Sequence, residues 1–255
     1  MSTPTSYIST GPYHDIISGV QLILSFSDGM VCLTGAQSTG KSSLLDALLD
    51  ALQEDGQLAL LLKLPPKTPQ ELHKHLTREL DLPATMELDQ ALAHFITARP
   101  RDKQHVILLF DDADRMDEET LLAVLQLRAA TNNGQTLVSL VLCGLPGLTE
   151  QLATPALAAL TTDVALTYEL NALNLQEMDA FCSAAIQARN LKIPRPAART
   201  LEYLLAETGG LPGAVLQLLP AMVAEPELVS RAATAPPAPI PVSYTHLTLP
   251  TKRIV

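Results

Sequence analysis

The stretch Gly35-Ala-Gln-Ser-Thr-Gly-Lys-Ser42 decides the fold of this 255-residue chain. It fits the pattern G-x-x-x-x-G-K-[ST], in which backbone N–H groups surround a phosphate and the next helix adds its dipole. The apolar run 30–34 precedes it and predicts a strand, whereas residues 42–52 carry leucines at helical spacing. A strand, a glycine-bearing loop and a helix in this order predict a phosphate-binding loop rather than a Gly-Ser turn before an unrelated helix.

Each residue type in this phosphate loop (residues 35–42) has its own predicted task. Gly35 and Gly40 stand where a Cβ would clash or a positive φ is required. Lys41 is expected to neutralise β- and γ-phosphate oxygens, and the Ser42 hydroxyl to bind Mg²⁺. The sequence therefore predicts ATP and Mg²⁺ as ligands. The predicted nucleotide-binding residues are Gly35, Ala36, Gln37, Ser38, Thr39, Gly40, Lys41, Ser42 and Ser43.

Two aspartates follow a second apolar run, residues 105–110. A carboxylate at the end of a buried strand is costly unless it meets a cation, so Asp111 is predicted to hold Mg²⁺ through water. Asp112 is the candidate carboxylate for polarising the attacking water. Asp112 and Lys41 are the two predicted catalytic residues. The alternative for Asp112 is a helix-start cap before a solvated acidic turn.

Apolar runs alternate with helical segments along residues 10–170, which predicts an α/β fold with a mostly parallel sheet between two helical layers. From Asn174 onward the pattern is purely helical and predicts a small lid subdomain. We expect a nucleotide-binding domain over 1–171 and the lid over 172–225. The predicted strands are 30–34, 58–64, 105–110, 137–143 and 164–170, and the predicted helices are 42–52, 69–80, 88–98, 118–130, 175–189, 196–208 and 212–223.

Composition excludes several classes of protein. The charge of −10, from 17 Lys plus Arg against 27 Asp plus Glu, argues against nucleic acid as a partner, because the average surface repels phosphate backbones. Three separated cysteines in apolar runs form no zinc or disulfide pattern. No basic residue precedes Lys41 and no apolar run is long enough to cross a membrane, which predicts a cytoplasmic location.

The last thirty residues form two different segments. Residues 226–241 are rich in Ala and Pro, the composition of an extended linker. Residues 242–255 resemble a translated sequencing adapter, and we interpret them as an assembly artefact. We therefore expect the natural protein to continue beyond Pro241.

Four blocks in order carry a family resemblance: GAQSTGKS, VILLFDDADRMDEETL, LVSLVLCGLPGL and TGGLPGAV. Over residues 10–225 the chain resembles AAA-type P-loop ATPases similar to general secretion pathway protein A, and the ATPase module of DamX-like SPOR proteins. The resemblance implies a role in secretion or cell division, as a homo-oligomer or with an envelope-complex partner. It also implies a missing carboxyl-terminal part, which would hold a membrane segment and a SPOR or peptidoglycan-binding domain.

Three positions depart from the pattern of that family. Asp112 stands where the family usually has Glu, Leu145 where it commonly has Gln, and Gly213 where it has Arg. The first change shortens the side chain that carries the catalytic carboxylate. The second removes a polar side chain expected to contact the γ-phosphate, and the third removes a positive charge near the phosphates. We therefore expect ATP to bind and hydrolysis to be slow or lost. Two other functions stay open: a DNA-associated helper similar to transposition ATPases, and a non-hydrolysing nucleotide-binding scaffold.

Overall fold

The computed structural model describes residues 11–26, 29–83, 86–99, 105–129, 131–132, 135–161 and 164–224. Strands are β1 (Met30–Gly35), β2 (Leu58–Leu62), β3 (Val106–Phe110), β4 (Thr131–Asn132), β5 (Gln135–Thr136), β6 (Val138–Gly144) and β7 (Val164–Leu170). Helices are α1 (Gly11–Phe26), α2 (Lys41–Glu54), α3 (Pro69–Leu80), α4 (Leu88–Thr97), α5 (Glu118–Gln126), α6 (Gly147–Leu152), α7 (Pro155–Ala158), α8 (Leu175–Ala188), α9 (Ala198–Thr208) and α10 (Pro212–Ala224).

A five-stranded sheet in the order β2-β3-β6-β1-β7 lies at the centre of the molecule. All four pairings are parallel, as predicted. The register places Thr34 beside Gly144 and Phe110 beside Leu142, so the carboxyl ends of β1, β3 and β6 meet at one edge. Loops that follow adjacent parallel strands converge there, which is where α/β folds place ligands.

The two faces of the sheet have separate hydrophobic cores. Alternate residues of each strand point to opposite faces, so Cys32 belongs to one core and Cys143 to the other. Helices α1, α2 and α8–α10 contribute to the core that contains Cys143, and α3–α7 to the core that contains Cys32. The arrangement confirms the three-layer α/β architecture.

The predicted lid forms a group of helices, α8, α9 and α10, that pack on one another. Asn174 begins α8 with a capping box, in which its side chain accepts from the backbone N–H of Glu177 and the Glu177 carboxylate accepts from Asn174 N. Leu204 and Val215 of the lid are fully buried in the same core as Leu44 and Leu48 of α2. The lid therefore shares a hydrophobic core with the sheet domain.

Several local predictions were inaccurate. Helix α1 was not predicted, and the helix predicted over 118–130 ends at Gln126 and continues as a 3₁₀ turn over 127–129. Helices α6 and α7 and the hairpin of β4 and β5 were not predicted. The linker and the tail predicted over 226–255 lie outside the described residues. Within the described part of the chain, no helix is both long and apolar enough to span a bilayer.

Candidate nucleotide-binding site

The phosphate loop connects β1 to α2 at the carboxyl edge of the sheet. A Cβ on Gly35 would lie 2.7 Å from Thr39 Oγ1 and 2.9 Å from the Leu170 carbonyl oxygen, so this position has no room for a side chain. Gly40 has a φ of 90°, the left-handed conformation that glycine adopts without strain. The two glycines therefore meet the two requirements that the sequence predicted.

The carbonyl groups of Gly35 and Ala36 accept hydrogen bonds from donors within the loop. Lys41 Nζ donates to the carbonyl oxygens of Gly35 and Ala36 at 2.9 and 2.8 Å, and Thr39 Oγ1 donates to Ala36 O at 2.8 Å. Carbonyls held in this way leave the loop N–H groups available to an anion. Lys41 is buried at 8% exposure, which favours a compact anionic partner for its charge.

Asp111 and Ser42, the two predicted magnesium ligands, lie next to each other. Asp111 directly follows β3 and is 7% exposed, and its carboxylate is hydrogen-bonded to the Ser42 side chain and to Asp112 N at 2.9 Å. Burial raises the pKa of Asp111, against the lowering effect of those hydrogen bonds and of Lys41. A hydroxyl and a carboxylate are hard oxygen ligands suited to Mg²⁺, so the donor set fits the ion.

Asp112 has a conformation that the sequence did not reveal. Its φ of 49° lies in the left-handed region, and its carboxylate forms an ion pair with Arg115 Nη1 at 3.2 Å. No hydrogen bond from its side chain caps the 3₁₀ turn 113–115, so the structure does not support the capping alternative. Asp112 therefore lies near the carboxyl edge of the sheet, but its carboxylate is paired with Arg115 on the same turn.

Asp114 connects the aspartate turn to the end of β6. Its Oδ1 accepts a hydrogen bond from Leu145 N at 2.8 Å, and its carbonyl oxygen accepts one from Gln151 Nε2 at 3.0 Å. A Cβ on Gly144 would lie 2.5 Å from Asp114 Oδ1, which explains the glycine at the end of β6. The sequence predicted no contact for Asp114, because its partners Leu145 and Gln151 lie 31 and 37 residues further along the chain.

The lid contacts the phosphate loop at the position where the resemblance expects an arginine. Gly213 N donates to Ser38 O at 2.9 Å, and a Cβ on Gly213 would lie 3.1 Å from Ser38 Cβ. The glycine therefore does more than remove a charge, because it allows the first turn of α10 to approach the loop backbone.

Helix α1 contributes the other wall of the site. Tyr13 Oη donates to Thr39 O at 2.8 Å, and burial raises the pKa of Tyr13 to about 12. Next to it is a cavity of about 130 Å³ between α1 and the segment that joins β7 to α8. An aromatic ring, apolar walls and carboxylate acceptors suit a base with amino groups. The lining residues are Tyr13, Ile16, Glu169, Leu170, Asn171, Ala172, Leu173 and Glu177.

Comparison with known proteins agrees with this geometry. The sequence profile of the AAA domain matches residues 24–152, about half of the chain, from the end of α1 through α6. The chain belongs to the AAA domain family. This AAA chain is also 30% identical over 194 residues to general secretion pathway protein A of Aeromonas hydrophila. The match covers 72% of this chain and 34% of that protein, so the chain spans about a third of the length of this curated relative.

Solved structures with little sequence identity share the fold. The Aeropyrum pernix ORC2 protein, in ADPNP-ADP complexes, superposes with a TM-score of 0.65 at 12% identity, covering 91% of this chain and 68% of that one. The Thermotoga maritima RuvB Holliday junction branch migration motor gives 0.53 at 15% identity, over 90% of this chain and 67% of that one. These superpositions cover about nine-tenths of the chain, so the shared fold continues into helices beyond residue 152, where the family match ends.

Proposed function

We propose that this AAA module binds ATP with Mg²⁺ and acts as a nucleotide-dependent switch with slow hydrolysis. The observation that carries the proposal is the contact between Ser42 and Asp111 beside a phosphate loop whose carbonyls are already satisfied. With nucleotide bound, the Lys41 ammonium would neutralise β- and γ-phosphate oxygens, and Ser42 and Asp111 would hold the ion. Bound Mg²⁺ neutralises charge on the phosphates.

Three features of the same site support slow turnover. Asp112 reaches one methylene less far than Glu, and Arg115 competes for its carboxylate. The N–H of Leu145 donates a hydrogen bond to Asp114, and the Leu145 side chain has no polar group that could contact a γ-phosphate. Gly213 brings no charge to the phosphates. Each absent contact removes stabilisation of the transition state, and loss of an arginine alone can cost about 10³-fold.

The test compares nucleotide binding with phosphate release for the wild-type chain and for Asp112→Glu. We expect the wild-type chain to bind MgATP and release phosphate no faster than a Lys41→Ala variant. We expect Asp112→Glu to bind equally well and to release phosphate faster, since the longer side chain restores the reach of the carboxylate. Wild-type turnover well above that of Lys41→Ala would contradict the slow-hydrolysis part of the proposal.

We further propose that the switch serves assembly of the cell envelope, in secretion or division, from the cytoplasmic side where ATP is available. The 30% identity to general secretion pathway protein A supports secretion. A switch of this kind acts by changing its association with copies of itself or with an envelope complex. We expect MgATP to increase the mass of the chain in light scattering, and a mass that is unchanged by MgATP would count against homo-oligomerisation.

A further inference from the structure

The first turn of α10 donates a backbone hydrogen bond to the phosphate loop. N–H groups in the first turn of a helix have no partner within the helix. That of Gly213, the second residue of α10, points at Ser38 O at 2.9 Å. The lid therefore supplies one of the hydrogen bonds that the loop backbone requires.

The loop needs such a donor because of how it binds anions. When successive N–H groups of a loop turn inward around a phosphate, its carbonyls turn outward and need donors from elsewhere. Lys41 and Thr39 supply donors to Gly35 and Ala36, whereas Gly213 supplies one to Ser38. Ser38 has a φ of 67°, in the left-handed region that serine adopts only with support from its surroundings.

The entrance to α10 is also fixed on its other side. Gly210 has a φ of 74°, and its carbonyl oxygen accepts a hydrogen bond from Leu173 N at 2.8 Å. A Cβ on Gly210 would lie 2.5 Å from Leu173 O. The turn before α10 is thus attached to the segment after β7, and the turn that follows is attached to the phosphate loop. A shift of the Ser38 peptide is passed to α10 rather than absorbed by a flexible connection.

We propose that Gly213 is a positioning residue through which the lid senses whether the phosphate loop is occupied, without distinguishing a diphosphate from a triphosphate. The inference rests on the proposed function and concerns regulation of that same site. A lid arginine would respond to the negative charge of the γ-phosphate, whereas a backbone hydrogen bond to Ser38 O responds to the conformation of the loop. ADP and ATP both place a β-phosphate in that loop, so both give the same signal. By linkage, the position of the lid changes nucleotide affinity by the same factor.

The experiment is amide hydrogen exchange of α10 in the full chain, with no nucleotide, with MgADP and with a non-hydrolysable ATP analogue. We expect both nucleotides to slow exchange in α10 by the same factor. In Gly213→Ala, whose Cβ would press on Ser38, we expect this slowing to disappear and the Kd for MgADP to rise about fivefold, the equivalent of one backbone hydrogen bond.

Gly147→Ala is the matched control, because a Cβ at the start of α6 meets nothing within 4 Å. In Gly213→Ala the helix preference of alanine over glycine, about 1 kcal/mol, offsets the strain at Ser38, and a thermal melt checks that general stability is kept. Slowing by the triphosphate analogue alone, or undiminished slowing in Gly213→Ala, would overturn the inference and leave nucleotide binding intact. A wild-type chain that binds neither nucleotide would overturn the proposed function as well.

Discussion

At the scale of single residues, Asp112 is the residue on which we expect the rate of hydrolysis to depend most. Its carboxylate is 3.2 Å from Arg115 Nη1, and both side chains are well exposed. Exposed ion pairs contribute at most about 1 kcal/mol, so the pair restrains the carboxylate without locking it. Aspartate also tolerates the left-handed φ of 49° better than most residues, which suits this turn.

Removal of the Arg115 side chain, which restrains the Asp112 carboxylate, gives a direct prediction. We expect Arg115→Ala to raise the rate of phosphate release by no more than about fivefold, since a group worth about 1 kcal/mol can change a rate by that factor. Arg78→Ala, which breaks an exposed pair with Glu79 on α3, is the control and should change nothing. A slower reaction in Arg115→Ala would show that the arginine assists hydrolysis.

Several residues that lie together at the carboxyl edge of β1 and β3 were named from the sequence. Lys41, Ser42 and Asp111 could be assigned because each lies at a fixed offset from the end of an apolar run. The roles of Asp114 and Gly213 could not, because their partners Leu145 and Ser38 are distant in sequence. The i,i+3 spacing of Asp112 and Arg115 was a local signal for their ion pair.

At the scale of elements, the contribution of α1 was the main omission. No element was predicted before residue 30, whereas Tyr13 in the first turn of α1 donates a hydrogen bond to the phosphate loop. Strands were easier to predict, because their apolar runs end at glycine, proline or aspartate. Short helices such as α6 and α7 have too few turns to show a periodic pattern.

The pKa of Tyr13 predicts a pH dependence of stability. Because the pKa is raised to about 12 in the folded chain, the stabilisation is complete below the ordinary value near 10 and is lost as pH rises through 12. Tyr13→Phe also leaves Thr39 O without its donor, which we expect to cost about 1 kcal/mol at neutral pH. In urea unfolding, the deficit of Tyr13→Phe should shrink between pH 10 and 12. A deficit that does not vary with pH would contradict this.

The capping box of α8 predicts a second effect at this scale. Replacement of Asn174 by Ala leaves the N–H groups of Gln176 and Glu177 without an acceptor. We expect a loss of about 1 kcal/mol in the free energy of unfolding, and near wild-type stability for Asn174→Ser, which can still cap. Denaturant titration measures both, and equal losses in the two variants would show that the cap is not the cause.

At the scale of the whole molecule, the lid and the sheet share one core, with Leu204 and Val215 beside the leucines of α2. We therefore expect a single unfolding transition for the two together. Saturating MgATP should raise its midpoint, since a ligand at 100 times its Kd adds about 2.7 kcal/mol. Two transitions in calorimetry, with the nucleotide shifting just one, would contradict the shared core.

The parallel sheet and the helical segment that follows it could be predicted from the sequence, because apolar runs alternate with helical segments up to residue 170 and the pattern is purely helical from Asn174 onward. The closeness of the lid to the phosphate loop could not. It depends on a hydrogen bond of 2.9 Å from Gly213 N to Ser38 O, and no periodic pattern in the sequence predicts such a contact. Patterns along a chain identify elements, whereas contacts between elements are fixed by packing.

Equilibrium binding of MgATP to the full chain tests the central claim most directly. We predict saturable binding, weakened about 10- to 100-fold in Lys41→Ala by the loss of charge-assisted hydrogen bonds to phosphate. Lys74→Ala, which removes an exposed lysine from α3, should bind like the wild-type chain. Equal affinity of Lys41→Ala and the wild-type chain, or no binding by either, would contradict the assignment of residues 35–42 as the nucleotide site.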